Sequence, residues 1–142
     1  MPDFGKRQDF LPLARPDIGE EEISAVGDVL RSGWLTTGPE VERFESRMKE
    51  YLGCAEVLAL NSCTGGLHIS LVEMGIGPGD EVILPTLTFA ATAHVVHWLG
   101  ASPVLADVND DDLTIDIAEI ERLYRPGRTR AILPVHFGGY AC

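Results

Sequence analysis

The sequence has little of what defines several large protein classes. Its cysteines number three, Cys54, Cys63 and Cys142, and they form no CxxC pair. This spacing argues against a disulfide framework and a structural zinc site, and it is typical of a reducing compartment. No stretch approaches the roughly 18 apolar residues of a membrane span, and the start of the chain lacks the apolar core of a signal peptide. We therefore expect a cytoplasmic protein.

Positive charge is also scarce. Lysine and arginine together number 11 against 22 aspartate and glutamate residues, which gives a net charge of −11. Such a balance repels the phosphate backbone of nucleic acids and the anionic surface of membranes, so neither is an expected partner. Any anionic ligand must therefore be held by a local feature. Lysine is rarer than arginine, and only Lys6 and Lys49 occur in the chain.

Apolar residues are plentiful, at 45% of the chain, which is enough to build the core of one domain. After an N-terminal arm over residues 1–12, helical periodicity alternates with short apolar segments. Buried strands are predicted at residues 55–60, 81–85, 103–108 and 130–135, separated by helices that begin near Thr64, Thr88 and Asp116. The alternation predicts an α/β fold over residues 13–142, a mostly parallel sheet with helices on both faces.

Two amphipathic helices are predicted ahead of the sheet. The first spans residues 20–32 and ends at Gly33, while the second begins with Thr37 as its N-cap and ends at Gly53. Glu40 completes a predicted capping box with Thr37, and Pro39 lies in the first turn. Each helix carries an apolar stripe, formed by Ile23, Val26 and Leu30 in the first and by Val41, Phe44, Met48 and Leu52 in the second.

Ligands of a parallel sheet gather beyond the carboxyl ends of its strands, so the loops that follow the predicted strands form the candidate site. The loop from Asn61 to Gly66 combines hydroxyl groups and glycines at the start of a helix. Its free backbone N–H groups and the Thr64 hydroxyl suit an anion such as phosphate. The alternative is that Ser62 or Thr64 only caps the helix. In the next loop, Phe89 either stacks on a flat cofactor or packs in the core.

Other segments carry weaker signals. Trp34 and Thr36 lie between the first two helices. A simple connection needs neither an aromatic ring nor a hydroxyl group, so both residues are candidate ligand contacts. His94 and His97 have the spacing of metal ligands on a helix, but their apolar neighbours favour packing, and no metal site is expected. The acidic run from Asp107 to Asp112 lacks the spacing of a calcium loop and favours a solvated turn.

Taken in order, several segments resemble the DegT/StrS-type sugar aminotransferases, which depend on pyridoxal 5′-phosphate (PLP). The resemblance covers about residues 12–140 and rests on ARPDIG, SGWLTTGPEVERFE, NSCTGGLHISL, GPGDEVILPTLTFAATAHVV, GASPVLADV and ILPVHFGG. It implies that the chain is the N-terminal part of the large domain of a fold-type I enzyme. The implied activity is transfer of an amino group from an amino acid, commonly glutamate, to a keto group on a nucleotide-linked sugar, in polysaccharide or amino-sugar biosynthesis.

The resemblance also implies roles for particular residues. Cys63 and Thr64 would hold the cofactor phosphate, in agreement with the anion site inferred from the loop itself. Phe89 would stack on the pyridoxal ring. Near the entering substrate, the resemblance places Trp34, Thr36 and His136. A homodimer is implied as well, because active sites of this family borrow residues from the neighbouring subunit.

Catalysis in this family needs a lysine that forms a Schiff base with the cofactor and an aspartate that pairs with the pyridine nitrogen. Neither Lys6 nor Lys49 matches that lysine, so both groups are expected beyond residue 142, and the chain is expected to be an inactive N-terminal fragment. Three alternatives stay open: a sugar dehydratase of the same family with histidine in place of the lysine, a non-catalytic regulatory protein on the same scaffold, and a standalone module for another phosphate ligand.

Overall fold

The computed structural model describes residues 9, 10, 12 and 14–142, so most of the predicted arm over residues 1–12 lies outside the described residues. The chain divides into two compact units, one that ends at Ala59 and one that runs from Leu60 to Cys142. None of the helices in the described residues has both the length and the apolar composition needed to cross a bilayer.

The first unit contains two helices, α1 (Glu20–Ser32) and α2 (Pro39–Leu52). Gly33 ends α1 with a φ of 72°, and Gly53 ends α2 with a φ of 64°. Glycine adopts this left-handed conformation without strain, and the carbonyl groups of the last turn then find N–H partners. The predicted bounds of α1 and the predicted glycine at each helix end are confirmed.

The predicted N-cap of α2 is wrong. Gly38 occupies the cap position in place of Thr37, and its carbonyl oxygen accepts the N–H of Val41 at 3.0 Å. The predicted capping box with Glu40 does not form, because no side chain caps this end of α2. The cause is a contact made by another side chain. The Thr37 carbonyl accepts the indole N–H of Trp34 at 2.8 Å, which holds Thr37 in the turn before the helix.

The apolar faces of α1 and α2 are exposed, and the first predicted strand does not form. Neither α1 nor α2 has a buried residue within the described chain, and Phe44 on the predicted stripe is 53% exposed. The predicted strand at residues 55–60 is wrong, because no described strand pairs with it. The Ala59 N–H donates instead to the Glu45 carboxylate at 2.8 Å. An apolar segment becomes a strand only where a neighbouring backbone accepts its hydrogen bonds.

The second unit is built on a parallel sheet of three strands in the order β2-β1-β3. β1 (Glu81–Pro85) lies where predicted, whereas β2 (Ser102–Ala106) and β3 (Thr129–Ile132) end before the predicted residues 108 and 135. The Leu133 N–H still donates to the Ile83 carbonyl at 2.8 Å, so the pairing continues just past β3. β1 has a strand on each side and is buried along its whole length.

Helices cover both faces of this sheet, as predicted. α3 (Cys63–Glu73) and α4 (Ala91–Trp98) pack over one face, and α5 (Ile117–Leu123) packs over the other. Alternate residues of β1 point to the two layers, with Val82 toward α3 and α4 and Ile83 toward α5. The α/β fold with a parallel sheet is therefore confirmed for the second unit.

The three helices of the second unit begin close to the predicted residues, with one difference. Asp116 caps α5 by accepting the N–H of Ala118 at 2.8 Å, as its position in the sequence predicts. α4 begins at Ala91, later than the predicted start near Thr88. Thr88 lies in a bend before the helix, and its hydroxyl shares a hydrogen bond of 2.8 Å with the hydroxyl of Thr92 in the first turn of α4.

Replacement of Leu84 by alanine should lower the free energy of unfolding of the whole protein by about 2–5 kcal/mol, because Leu84 is fully buried under α3 and α4. The control, Leu84→Met, keeps the side-chain volume and should cost less than about 1.5 kcal/mol. Urea denaturation followed by circular dichroism measures both changes. Wild-type stability in the alanine variant would contradict the burial of β1.

Candidate functional site

The carboxyl edge of the sheet is where a ligand binds in folds of this type. From β1 the chain passes through α4 to β2 on one side, and then through α5 to β3 on the other side of β1. In open parallel sheets, ligands bind beyond the carboxyl ends of the strands where the connections change direction, which is next to β1 here. The Thr86 hydroxyl, directly after β1, donates to the Asp107 carboxylate, directly after β2, at 3.4 Å. This bond ties the two loops together at that edge.

The start of α3 offers unused hydrogen-bond donors. Ser62 is the N-cap, as one alternative predicted: its Oγ accepts the N–H of Gly65 at 3.1 Å, and its carbonyl accepts that of Gly66 at 3.2 Å. The backbone N–H groups of Cys63 and Thr64 and the Thr64 hydroxyl have no acceptor among the described residues. Free donors at the positive end of a helix dipole suit an anion such as a phosphate group.

Phe89 lies in the loop after β1, near the same edge. The residue is 81% exposed, so it does not pack in the core that the described residues form. The Phe89 carbonyl accepts the N–H of Thr92 at 3.0 Å, which fixes the backbone where α4 begins. An uncovered aromatic ring on a fixed backbone is available to stack on a flat ligand. Because α3 leads into the amino end of β1, the first turn of α3 lies toward the same carboxyl edge as Phe89.

The first unit holds two further predicted contacts, Trp34 and Thr36. Both line a groove of about 660 Å³ beside the start of α2, and the Trp34 side chain is 58% exposed. Gly38, also in this groove, was not among the predicted residues. It is buried, and a Cβ atom there would overlap the Trp34 ring. A glycine directly before the helix-starting Pro39, a few residues after a tryptophan, is the signal that could have identified it.

His136, the last predicted contact, follows β3 in the second unit. It directly precedes a 3-10 helix at Phe137–Gly139, and its side chain is exposed. Its Nδ1 accepts the backbone N–H of Cys142 at 3.1 Å. Since the strands are parallel, the loop after β3 lies at the same edge of the sheet as the loop after β1.

The other polar clusters serve packing and turn structure. His94 and His97 are both exposed, and the His94 ring stacks on the exposed Trp98 ring with centroids 6.2 Å apart. Asp112 accepts the N–H of Thr114 at 2.8 Å and its hydroxyl at 2.7 Å, and these bonds lower the pKa of the Asp112 carboxyl. Across the described residues, no three histidine, cysteine, aspartate or glutamate side chains lie together as metal ligands would.

A model of the DegT/DnrJ/EryC1/StrS aminotransferase family matches residues 16–142. The chain belongs to this family. A curated relative, the spore coat polysaccharide biosynthesis protein SpsC of Bacillus subtilis (strain 168), is 47% identical over 137 residues, which cover 96% of this chain and 35% of that protein. The chain thus spans about a third of the length of this relative.

Solved structures related to this family share the fold. Spr1654 from Streptococcus pneumoniae, described as a sugar aminotransferase and solved in its PLP form, is 39% identical with a TM-score of 0.86, over 93% of this chain and 33% of that chain. The 3-amino-5-hydroxybenzoic acid synthase is 34% identical with a TM-score of 0.81, over 91% of this chain and 34% of that chain. The likeness confirms the expected fold-type I architecture.

The bonds of Asp112 generate a prediction about acid stability. Because folding lowers the pKa of this carboxyl, its hydrogen bonds stabilise the protein above the ordinary carboxyl pKa of about 3.9, and that stability is lost as the pH falls through the lower folded value. Asp112→Asn should therefore lose less unfolding free energy between about pH 5 and pH 3 than the wild type does.

Urea denaturation at each pH measures this difference. Asp111→Asn is the matched control, since it removes an exposed acid of the same loop and leaves the bonds between Asp112 and Thr114 in place. Identical pH dependence in Asp112→Asn and the wild type would show that the Thr114 bonds do not stabilise the fold.

Proposed function

We propose that the whole protein is a PLP-dependent aminotransferase that moves an amino group from an amino acid, glutamate in the first instance, to a keto group on a nucleotide-linked sugar. Family membership supports the reaction class, and the name of the relative SpsC supports a role in polysaccharide biosynthesis. The observation that carries the proposal is the set of free donors at the start of α3, the N–H groups of Cys63 and Thr64 and the Thr64 hydroxyl.

These donors fit the phosphate of PLP. A chain with a net charge of −11 does not attract a dianion through its overall charge, so local donors must hold it. Ser62 uses only the N–H groups of Gly65 and Gly66, which leaves the donors of Cys63 and Thr64 for the phosphate. Helix N-termini with unused N–H groups are common phosphate sites in proteins.

Phe89 fits the pyridine ring of the same cofactor. The phenyl ring is exposed at the carboxyl edge of the sheet, where it is available to cover one face of a flat heterocycle. When bound, PLP supplies an electron sink and carries the amino group between the two substrates. The residues of this chain would bind and orient the cofactor, and they would leave the proton transfers to groups elsewhere in the protein.

A lysine is the group that this chemistry requires next. Within the described residues, the Lys49 ammonium is paired with the Glu56 carboxylate at 3.2 Å in the first unit. Lys6 lies outside the described residues. We therefore assign the Schiff-base lysine, and the aspartate that pairs with the pyridine nitrogen, to the part of the protein beyond residue 142.

Substrate contacts and assembly complete the proposal. We assign Trp34, Thr36 and His136 to the substrate side of the site, on the strength of their exposed positions and of the resemblance to the family. We further propose that the protein is a homodimer in the cytoplasm, with sites completed by the neighbouring subunit.

Thr64→Val should lower the affinity of the whole protein for PLP by roughly 10- to 100-fold, since a hydroxyl that hydrogen-bonds a charged group is lost while the side-chain volume is kept. Ser70→Ala is the matched control. Ser70 lies on the same helix, and its hydroxyl donates to the Gly66 carbonyl at 2.9 Å, so this variant should bind PLP as the wild type does. Absorbance titration measures both affinities, and equal affinity in Thr64→Val would remove Thr64 from the phosphate site.

An absorbance scan of the whole protein with PLP, before and after addition of glutamate, tests the reaction class. We expect a visible band from lysine-bound cofactor, which borohydride traps and glutamate removes. The absence of any borohydride-trapped band would overturn the proposal and favour the dehydratase or the regulatory protein. If glutamate removes the band, amino transfer to UDP- and dTDP-linked keto sugars then tests the acceptor.

A further inference from the structure

The side chain of Trp34 is both exposed and held in place. The indole N–H donates to the Thr37 carbonyl at 2.8 Å, and the backbone N–H of the same residue donates to the Ser32 hydroxyl at 3.1 Å. Although 58% of the residue is exposed, its only polar side-chain atom is already satisfied. What Trp34 offers to a ligand is therefore a fixed aromatic carbon surface.

Gly38 is what allows the indole to lie there. A Cβ atom at this position would overlap the indole Nε1 and Cδ1 atoms of Trp34. The φ of Gly38 is −170°, an extended value that any residue adopts. The absence of a side chain at position 38 is thus needed for space and is not needed for backbone conformation. Any larger residue would push the ring out of its position.

The charges around the groove favour a neutral ligand. Asp28, Glu40 and Arg43 line it, so acids outnumber the single base. Arg43 is already paired with the Glu40 carboxylate at 3.1 Å. The Asp28 carboxylate is likewise paired, with Arg31 at 2.8 Å. A diphosphate would therefore meet no unpaired cation among these lining residues, whereas a neutral ring would stack on Trp34 without needing a charged partner.

We propose that the Trp34 ring stacks on the heterocyclic base of the nucleotide-linked substrate. Gly38 is the positioning residue, because it leaves the space in which the indole lies. The inference rests on the proposed function, because that function supplies a substrate with a base. Among the parts of such a substrate, only the base is both neutral and planar. The groove, at about 660 Å³, is large enough for a nucleoside.

Calorimetric titration of the whole protein with UDP, dTDP and GDP tests the inference. At least one of them should bind the wild type, and Trp34→Ala should weaken that nucleotide by roughly 5- to 100-fold, the usual loss when a base loses its aromatic partner. Trp34→Phe should restore most of the affinity. Binding of inorganic pyrophosphate should be the same in all variants, because it has no base to stack.

Gly38→Ala tests whether nucleotide binding depends on the position of the Trp34 ring and not only on its presence. This variant keeps the tryptophan but displaces it, so it should weaken the nucleotide about as much as Trp34→Ala does. Gly27→Ala is the matched control, because a Cβ in the middle of α1 would meet only the flexible end of the Arg31 side chain. If Gly38→Ala does not fold, as judged by circular dichroism, the comparison of Trp34→Ala with Trp34→Phe still decides the matter.

The outcomes distinguish this inference from the proposed function. No binding of any of the three nucleotides to the wild type, or wild-type nucleotide affinity in Trp34→Ala, would overturn the inference even if glutamate removes the absorbance band. Loss of nucleotide affinity in Trp34→Ala without any absorbance band would support the base site and refute the aminotransferase. The two tests are independent, because removal of the band by glutamate needs no nucleotide.

Discussion

The enclosure of β1 is the constraint on which the second unit depends. β2 and β3 pair with its two edges, and helices cover both of its faces. Even its first residue, Glu81, is buried. The Glu81 carboxylate pairs with Arg125 at 3.1 Å and with Arg128 at 3.3 Å. The backbone N–H of Glu81 donates to the Arg128 carbonyl. A buried charge persists only where it is paired, so these contacts fix the amino end of β1 against the chain that enters β3. The loop with Phe89 consequently leaves the other end at a defined place.

An acidic protein binds an anion only where local hydrogen-bond donors outweigh the repulsion from its overall negative charge. Backbone groups at the start of α3 are suited to this, because N–H donors carry no net charge and act only at short range. Ser62 caps the helix without using its first donors, so the cap and the proposed anion site use different atoms of one turn. The family to which the chain belongs makes phosphate the natural ligand to propose for them.

Local patterns predicted most of the elements. α1, β1 and both helix-ending glycines lie where periodicity and turn chemistry placed them, since the forces that define them act within a few residues. The segment at residues 55–60 shows the limit of such patterns: its apolar composition matches a strand, but the described residues contain no backbone to pair with it. The open stripes of α1 and α2 show the same limit, because periodicity identifies an apolar face without identifying its partner.

The sequence alone therefore determined the alternation of helices and strands, the parallel sheet and the family, because these depend on periodicity and on motifs read along the chain. Only the tertiary structure decided that Gly38 caps α2, that the Trp34 indole lies fixed over it, and that Phe89 is open to solvent. These outcomes depend on which atoms meet across a turn and on how much space they leave. Residue types alone do not specify either quantity.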